Sequence, residues 1–389
     1  MMTRPASDYW DDLLSTSWEV RPQVIEAPQH RLLLSEEELF DCVVRAARAS
    51  TPLRRLYLDG TVVHDSECEP LLPAATDRSL KGYYRRVEAQ TGGAEWSLCL
   101  SRIHSVSHLL WERAAAFLDP LIARRGPHLL GSADTDAFLG WYRSTPVGIH
   151  CDHAANFMFT YGGTKTMLVW PPEREAELPL CQQDWSAARP TATPLTGAPT
   201  NMVYIPSAWF HLAEASAGPV ASVNVALFFD SSPIDVAITE LRQHLGRGGV
   251  IDRASSYGEA LDLLVSAGAD PAIRDRLTAA TLRHRTARGF GHLLPPAEAE
   301  DIEAGTQFVR ANFAIESVIA SDPSATIVAA NGHSGRLRTS AAVDRLIDDL
   351  NSGRETSAAS AARGHDDDEE LVGMLLVRLR QWRAVEPAA

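Results

Sequence analysis

The sequence predicts an α+β fold, an antiparallel β-barrel or sandwich with helical regions before and after it. Changes of texture along the chain carry that expectation. Residues 8–125 read as mainly helical with strand insertions. From about Phe138, short aromatic and β-branched runs broken by Gly and Pro take over. After Asp230 the strand pattern stops and helical spacing returns.

Taken in order, Ser35-Glu36-Glu37-Glu38 ahead of Leu39, Val43 and Val44 reads as an N-capped amphipathic helix, and Leu109 to Ile122 as another. The stretches "FLGWYRSTPVGIHCDH", "NFMFTYGGTKTMLVWPP", "NMVYIPSAWFHLAEA" and "VASVNVALFFD" supply the strands. Within them Phe157, Phe159 and Tyr161 alternate, Gly162-Gly163 turns, and Thr164 to Trp170 returns as a hairpin. Beyond the barrel, "PIDVAITELRQHL", "YGEALDLLVSAG", "AIRDRLTAATLRHRTARGF" and "AEAEDIEAGTQFVRANFAI" have helical spacing to about residue 320. The tail reads as a short hairpin, "ATIVAANGHSGRLRTS", followed by helices "SAAVDRLIDDLNSG" and "DEELVGMLLVRLRQWRAV". Strands with short helices suggest a small winged-helix-like module, and "GRETSAASAARGHDDDEE" is a polar, loop-rich insert. The expected organisation is therefore residues 1–230, 231–320 and 321–389, with no internal repeat.

Composition narrows the function. The 389 residues are 45% hydrophobic and 22% charged, which suits a globular chain with a large core. A net charge of −14 argues against a sequence-independent nucleic-acid binder, which needs a basic face to neutralise phosphates. The five cysteines, Cys42, Cys68, Cys99, Cys151 and Cys181, are scattered and form no CxxC pair, so a disulfide framework is not expected. Met1 to Leu14 has no apolar core after Arg4, and no run of about 18 apolar residues occurs to span a bilayer. The expected location is the cytoplasm.

The chemistry gathers at "IHCDHAANF". On a strand, His150 and Asp152 point to the same face and Cys151 and His153 to the other. An imidazole and a carboxylate can then share one cation. A third ligand from a distant strand would complete a facial triad with three open positions, which suits non-haem Fe(II). His-x-acid is expected about once by chance in such a chain, and the sequence carries a decoy, His365-Asp366-Asp367, in an acidic polar run. Context favours the first copy. Lys165 lies in an otherwise apolar strand beyond the Gly-Gly turn and needs an anion, which a bound dicarboxylate would supply. His211, after the Pro206 turn, is the candidate third ligand, and Asn224 is a polar residue in an apolar strand. Trp141, Tyr142 and Trp209 read first as core, and His244, His284 and His292 as ordinary histidines.

His150-Cys151-Asp152 with Asn156 and Lys165, then "VWPP", "YIPSAWFH" ending at His211, and "SVNVALFF" resemble the JmjC (cupin-type) Fe(II)/2-oxoglutarate oxygenases. The asparaginyl hydroxylase and bacterial ribosomal-oxygenase subgroups are the most similar. The opening "DYWDDLLSTSWEVRPQVI" is also similar to the N-terminal segment of these hydroxylases, so the resemblance covers about residues 8–230. It implies a double-stranded β-helix (jelly-roll/cupin) core with iron on His150, Asp152 and His211. It also implies Lys165 on the distal carboxylate of 2-oxoglutarate, and Asn156 and Asn224 lining the pocket. One departure is Val147, where asparaginyl hydroxylases carry a Thr that helps hold the co-substrate; Tyr142, Thr160 and Ser222 are the candidate replacements. The implied activity is a dioxygenase-type hydroxylation consuming O2 and 2-oxoglutarate and releasing succinate and CO2. Ribosomal oxygenases follow the barrel with a helical dimerisation segment and a winged-helix module. Residues 231–389 fit that order by texture alone, which implies a homodimer. Small winged-helix modules also recognise leader peptides in peptide natural-product pathways, so the tail is expected to present a peptide or protein substrate. The alternatives are the same chemistry on a small molecule and a non-catalytic cupin-fold binding protein. The intact set His150, Asp152, His211 and Lys165 argues against the latter.

Overall fold

The computed structural model describes residues 6–26, 33–50, 53–125, 131–181, 184–229, 270–300, 302–303 and 305–388. The described chain falls into two compact units, one holding 6–125, 132–229 and 292–294, the other 270–291 and 295–388. The expected helices "PIDVAITELRQHL" and "YGEALDLLVSAG", with His244, lie outside the described residues.

In the first unit, helices longer than one turn and strands follow as α1 Ala6–Thr16, β1 Gln23–Glu26, α2 Glu36–Arg48, β2 Arg54–Leu58, β3 Thr61–Val62, α3 Leu80–Thr91, β4 Trp96–Ser101 and α4 His108–Arg125. The barrel strands are β5 Ala133–Tyr142, β6 His150–Cys151, β7 Ala154–Tyr161, β8 Lys165–Trp170, β9 Thr193–Gly197, β10 Asn201–Ile205 and β11 Phe210–Phe228. Helix α2 starts where its sequence says. Ser35 Oγ accepts the Glu38 N–H at 3.1 Å, and Glu38 Oε2 accepts the Ser35 N–H at 2.7 Å. Such a reciprocal cap stabilises a helix by about 1 kcal/mol.

All strand pairs of this unit are antiparallel. The path β1-β10-β7-β11-β5-β4-β2-β3 forms the larger sheet, and β6, β8 and β9 lie off it. Strand β11 belongs to both faces: Phe210–Glu214 pairs with β8, Phe210 and His211 also with β6, while Ala221–Phe228 pairs with β7 and, from Val220 on, with β5. A register break between Ala215 and Val220 lets one chain pass from the smaller sheet to the larger. The result is a double-stranded β-helix. Met158, Met167, Val169, Leu195, Val203, Ile205 and Ala213 form one apolar cluster drawn from both sheets.

The structure corrects the expected hairpin at Gly162-Gly163. Strand β7 pairs with β10 and β11, β8 pairs with β9 and β11, and the two do not pair with each other. The Gly-Gly turn, with φ of +60° and +77°, is a corner between sheets. Alternation along β7 therefore has a different meaning. Phe157 and Phe159 meet Phe117 of α4 at ring distances of 5.1 and 5.2 Å, and Tyr161 accepts the Leu34 N–H at 3.1 Å, so this face is covered by the N-terminal helices. Asn156, Met158 and Thr160 take the opposite face.

In the second unit α5 is Pro271–Thr286, followed by β12 Phe308–Arg310, β13 Glu316–Ile319, β14 Ala325–Ala330, β15 His333–Arg338, α6 Ala341–Asn351, α7 Glu369–Gln381 and β16 Val385–Pro387. Asp270 caps α5 by accepting the Ala272 N–H at 2.8 Å. The hairpin β14–β15 turns on Asn331-Gly332, both at positive φ, as a two-residue turn of its twist requires. It extends to the sheet β13-β14-β15, while β12 pairs with β16. Val328, Val343, Leu346, Leu350, Leu375 and Leu379 are among its buried core, and the strands with α6 and α7 make the winged-helix-like module. The helix expected in "AEAEDIEAGTQFVRANFAI" is corrected. Its described residues are non-helical, and Phe308–Arg310 is a strand whose Phe308 is fully buried. Extended pairing to Thr356 and to β16 wins over helical spacing there.

No helix among the described residues is long and apolar enough to cross a membrane.

Candidate metal centre

Strand β6 is only two residues long, and its partner β11 sets the site. His150 lies directly opposite His211 across the ladder, with ring centroids 4.4 Å apart. Asp152 follows just beyond the strand end, and its Oδ2 is 3.6 Å from His211 Nε2. One ligand atom from each of the three residues lies within 4.8 Å of the others, and this is the one such group among the described residues.

The side chains around the three fix their orientation. His150 Nδ1–H donates to Gly148 O at 2.9 Å, and His211 Nδ1–H donates to Trp209 O at 3.1 Å. Both Nε2 lone pairs are thereby left for a cation. Asn156 Nδ2 donates to Asp152 Oδ2 at 3.0 Å and to Ala154 O at 3.3 Å, which aims the carboxylate. Burial, with His150 beside it, holds the His211 imidazole well below its ordinary pKa, so it is in the neutral form a metal needs. The Asp152 side chain is 43% exposed, so the group is open on that side. Cys151 packs with Ile149, Leu168 and Trp170 on the other side of its strand, and His153 is exposed.

Lys165, at the start of β8, is 3% exposed. Its Nζ donates to Ser222 Oγ at 2.9 Å and lies 4.6 Å from the Phe138 ring centroid. Among the described residues no carboxylate pairs with it. Burial pulls its ammonium down to about 8. Ser222 of β11 stands in register between Thr160 of β7 and Phe138 of β5, so the three share one face. The Thr160 hydroxyl is buried with no partner, and so is Asn224 Oδ1. Tyr142 sits apart, packed against Ala215 and Val220. Val147 is exposed. A cleft of about 370 Å³, lined in part by Tyr57, Glu95, Trp96, Tyr142 and Trp185, contains none of the three candidate ligands.

Sequence reasoning missed some residues here. Phe138 was not singled out. Asp136, opposite Asn224 in register, has its carboxyl pushed up to about 6 by burial while accepting the Arg102 N–H at 3.0 Å. The signal was present as Asp134-x-Asp136-x-Phe138, a period-two pattern on β5. Arg143 is exposed and paired with Glu95 at 2.5 Å.

The donor set fits Fe(II). Two Nε2 atoms and one carboxylate on a shared face leave half an octahedron free, whereas a closed structural zinc site would need a fourth protein ligand.

No family model matches the sequence, and no curated protein does. Solved structures match in fold. An X-ray structure of Escherichia coli YcfD superposes with a TM-score of 0.55 at 16% identity, covering 97% of this chain and 98% of that one. A crystal structure of the Escherichia coli ribosomal oxygenase YcfD gives 0.54 at 15% identity, covering 97% and 98%. The same protein in complex with cobalt and 2-oxoglutarate gives 0.54 at 16% identity, covering 98% of each chain.

Proposed function

We propose that this chain is an Fe(II)- and 2-oxoglutarate-dependent hydroxylase acting on a peptide or protein side chain. The observation that carries the reading is Lys165. A buried ammonium bonded to one serine, beside a buried and unpartnered threonine hydroxyl, is an anion site awaiting an anion, and it shares a barrel with the His-Asp-His group. The fold likeness to YcfD, whose complexes hold cobalt with 2-oxoglutarate or succinic acid, supports the same reading. That protein's description as a ribosomal oxygenase supports a protein substrate.

Held by His150, Asp152 and His211, Fe(II) would supply, with O2 and 2-oxoglutarate, the oxidising power that turns a substrate C–H into C–OH as succinate and CO2 form. The protein's own residues do the rest. Lys165 and Ser222 bind the distal carboxylate, and Thr160 donates its free hydroxyl to it, taking the place of the side chain absent at Val147. Asn156 keeps Asp152 aimed. Met158, Met167 and Val169 exclude water around the reacting end, and the exposed side of Asp152 leaves room for the substrate.

Anaerobic addition of Fe(II) and 2-oxoglutarate should give a weak visible charge-transfer band that His150→Ala and Asp152→Ala abolish. A wild-type chain with no band and no 2-oxoglutarate turnover would sink the reading. Mass spectrometry for oxygen addition after incubation with lysate would then identify the substrate.

A further inference from the structure

We infer that Glu19 is a positioning residue for the metal centre, acting through the turn Pro206–Trp209; the inference rests on the metal reading above. Glu19 lies after α1, in the N-terminal stretch that resembles the hydroxylases, and takes a left-handed φ of +53° although it is not glycine. Its backbone N–H donates to Tyr204 Oη at 2.9 Å, and that hydroxyl donates back to Glu19 Oε1 at 3.0 Å. The carboxylate accepts the Ser207 N–H at 3.3 and 3.2 Å, and Oε2 also accepts the Ser207 hydroxyl. Tyr204 is itself fully buried and stacked on Trp18 at 5.7 Å, so the clamp has a fixed base.

What the clamp holds is the link between the two arms of the site. Ala208, next to Ser207, adopts φ of +62°, a conformation an alanine keeps only when its surroundings impose it. In that conformation its N–H donates to Asp152 O at 2.9 Å. The next residue, Trp209, offers the carbonyl that orients His211 Nδ1 at 3.1 Å. One four-residue turn thus touches the backbone of one candidate ligand and the ring of another. A carboxylate gripping the turn by charge-assisted bonds is stronger than a neutral contact would be. With Glu19 removed, Ala208 is free to relax, and Asp152 and His211 lose their common reference.

The test is Co(II) titration of the full-length apo chain, followed by visible absorption, beside a thermal melt of the same apo sample. Glu19→Ala should weaken Co(II) binding about tenfold, as loss of an outer-shell partner does, while Glu19→Gln, which keeps one acceptor oxygen, recovers part of it. Arg189→Ala, at a surface pair with Glu214, should bind like wild type. A folded Glu19→Ala chain that binds Co(II) within twofold of wild type overturns the inference. If Glu19→Ala does not fold, Ser207→Ala decides on the same twofold criterion, since it removes the hydroxyl and leaves the backbone intact. A wild-type chain that binds no Co(II) removes the metal reading itself, and this inference with it.

Discussion

His-x-Asp occurs at 150–152 and again at 365–367, and the two copies end in different structures. At the first, the strand β6 lies against β11, a second histidine arrives directly opposite, and two backbone carbonyls fix both rings. At the second, His365 is exposed and the chain turns through one 3-10 helical turn, Asp366–Asp368, into α7. Asp368 there is bonded to Arg338 and Ser340. The spacing in sequence is the same in both places. A strand ladder with a distant third donor, and with Nδ1 of each ring already satisfied, exists at only one.

The largest effect should come from breaking the first copy. His150→Ala, Asp152→Ala or His211→Ala is expected to weaken Co(II) or Fe(II) binding by at least about a hundredfold, exceeding the loss from an outer-shell change. His365→Ala and Asp367→Ala should leave the titration unchanged. Equal losses at both copies would mean that spacing alone makes the site.

Next in size is the far end of the barrel, where Lys165→Met should have opposite effects on function and stability. Binding of 2-oxoglutarate should fall about a hundredfold, with the buried charge pair gone. The chain should melt higher, because the buried ammonium is held at about 8 against its ordinary value. Below that value the folded chain carries the cost of a desolvated charge. The cost is relieved as pH rises from about 8 toward the unfolded value. At neutral pH it is at most about 3 kcal/mol. The stability gain of Lys165→Met should therefore shrink between pH 8 and the unfolded lysine range, which melts at several pH values would track. A variant less stable than wild type at pH 7 would show that Lys165 is already compensated inside the barrel.

Phe138→Leu probes the same end more gently. Its ring lies 4.6 Å from the ammonium, and a desolvated contact of this kind contributes about 1 to 2 kcal/mol. Binding of 2-oxoglutarate, measured calorimetrically with Co(II), should weaken about fivefold to thirtyfold, and Phe138→Tyr should restore it.

Much of this is legible in the sequence, and the misreadings have a common cause. Periodicity gave the α2 cap, the strand-rich middle and the β14–β15 hairpin, because each depends on neighbours in sequence. Alternation also separated His150 and Asp152 from Cys151. Misreadings arose where a distant partner decides. Strands β7 and β8 resemble a hairpin locally, but β11 runs between the two sheets and takes both. Residues 297–315 have helical spacing, but Phe308 is drawn into an extended pairing with Thr356 and β16. Phe138 and Glu19 went unnoticed because an aromatic on a strand and an acid after a helix are ordinary in sequence. Their importance lies in Nζ of Lys165 and the backbone of Ser207, 27 and 188 positions away.

The smallest effect sharpens the comparison from the side of the second copy. Asp368 is held below the usual carboxylate range first by the Ser340 hydroxyl and then by Arg338. A carboxylate with a depressed folded pKa stabilises the folded state above its unfolded value, and the contribution is lost as pH falls through the folded value. Asp368→Asn should therefore lower the melting temperature slightly at pH 7, and the gap from wild type should close as the medium is acidified. Co(II) binding should not change. A melting difference that persists undiminished in acid would show that Asp368 acts by packing, whereas a change in Co(II) affinity would make the second copy part of a metal site after all. The expected pattern, stability moved and metal binding untouched, is the inverse of the pattern expected at Asp152, although Asp368 directly follows a copy of the same short motif.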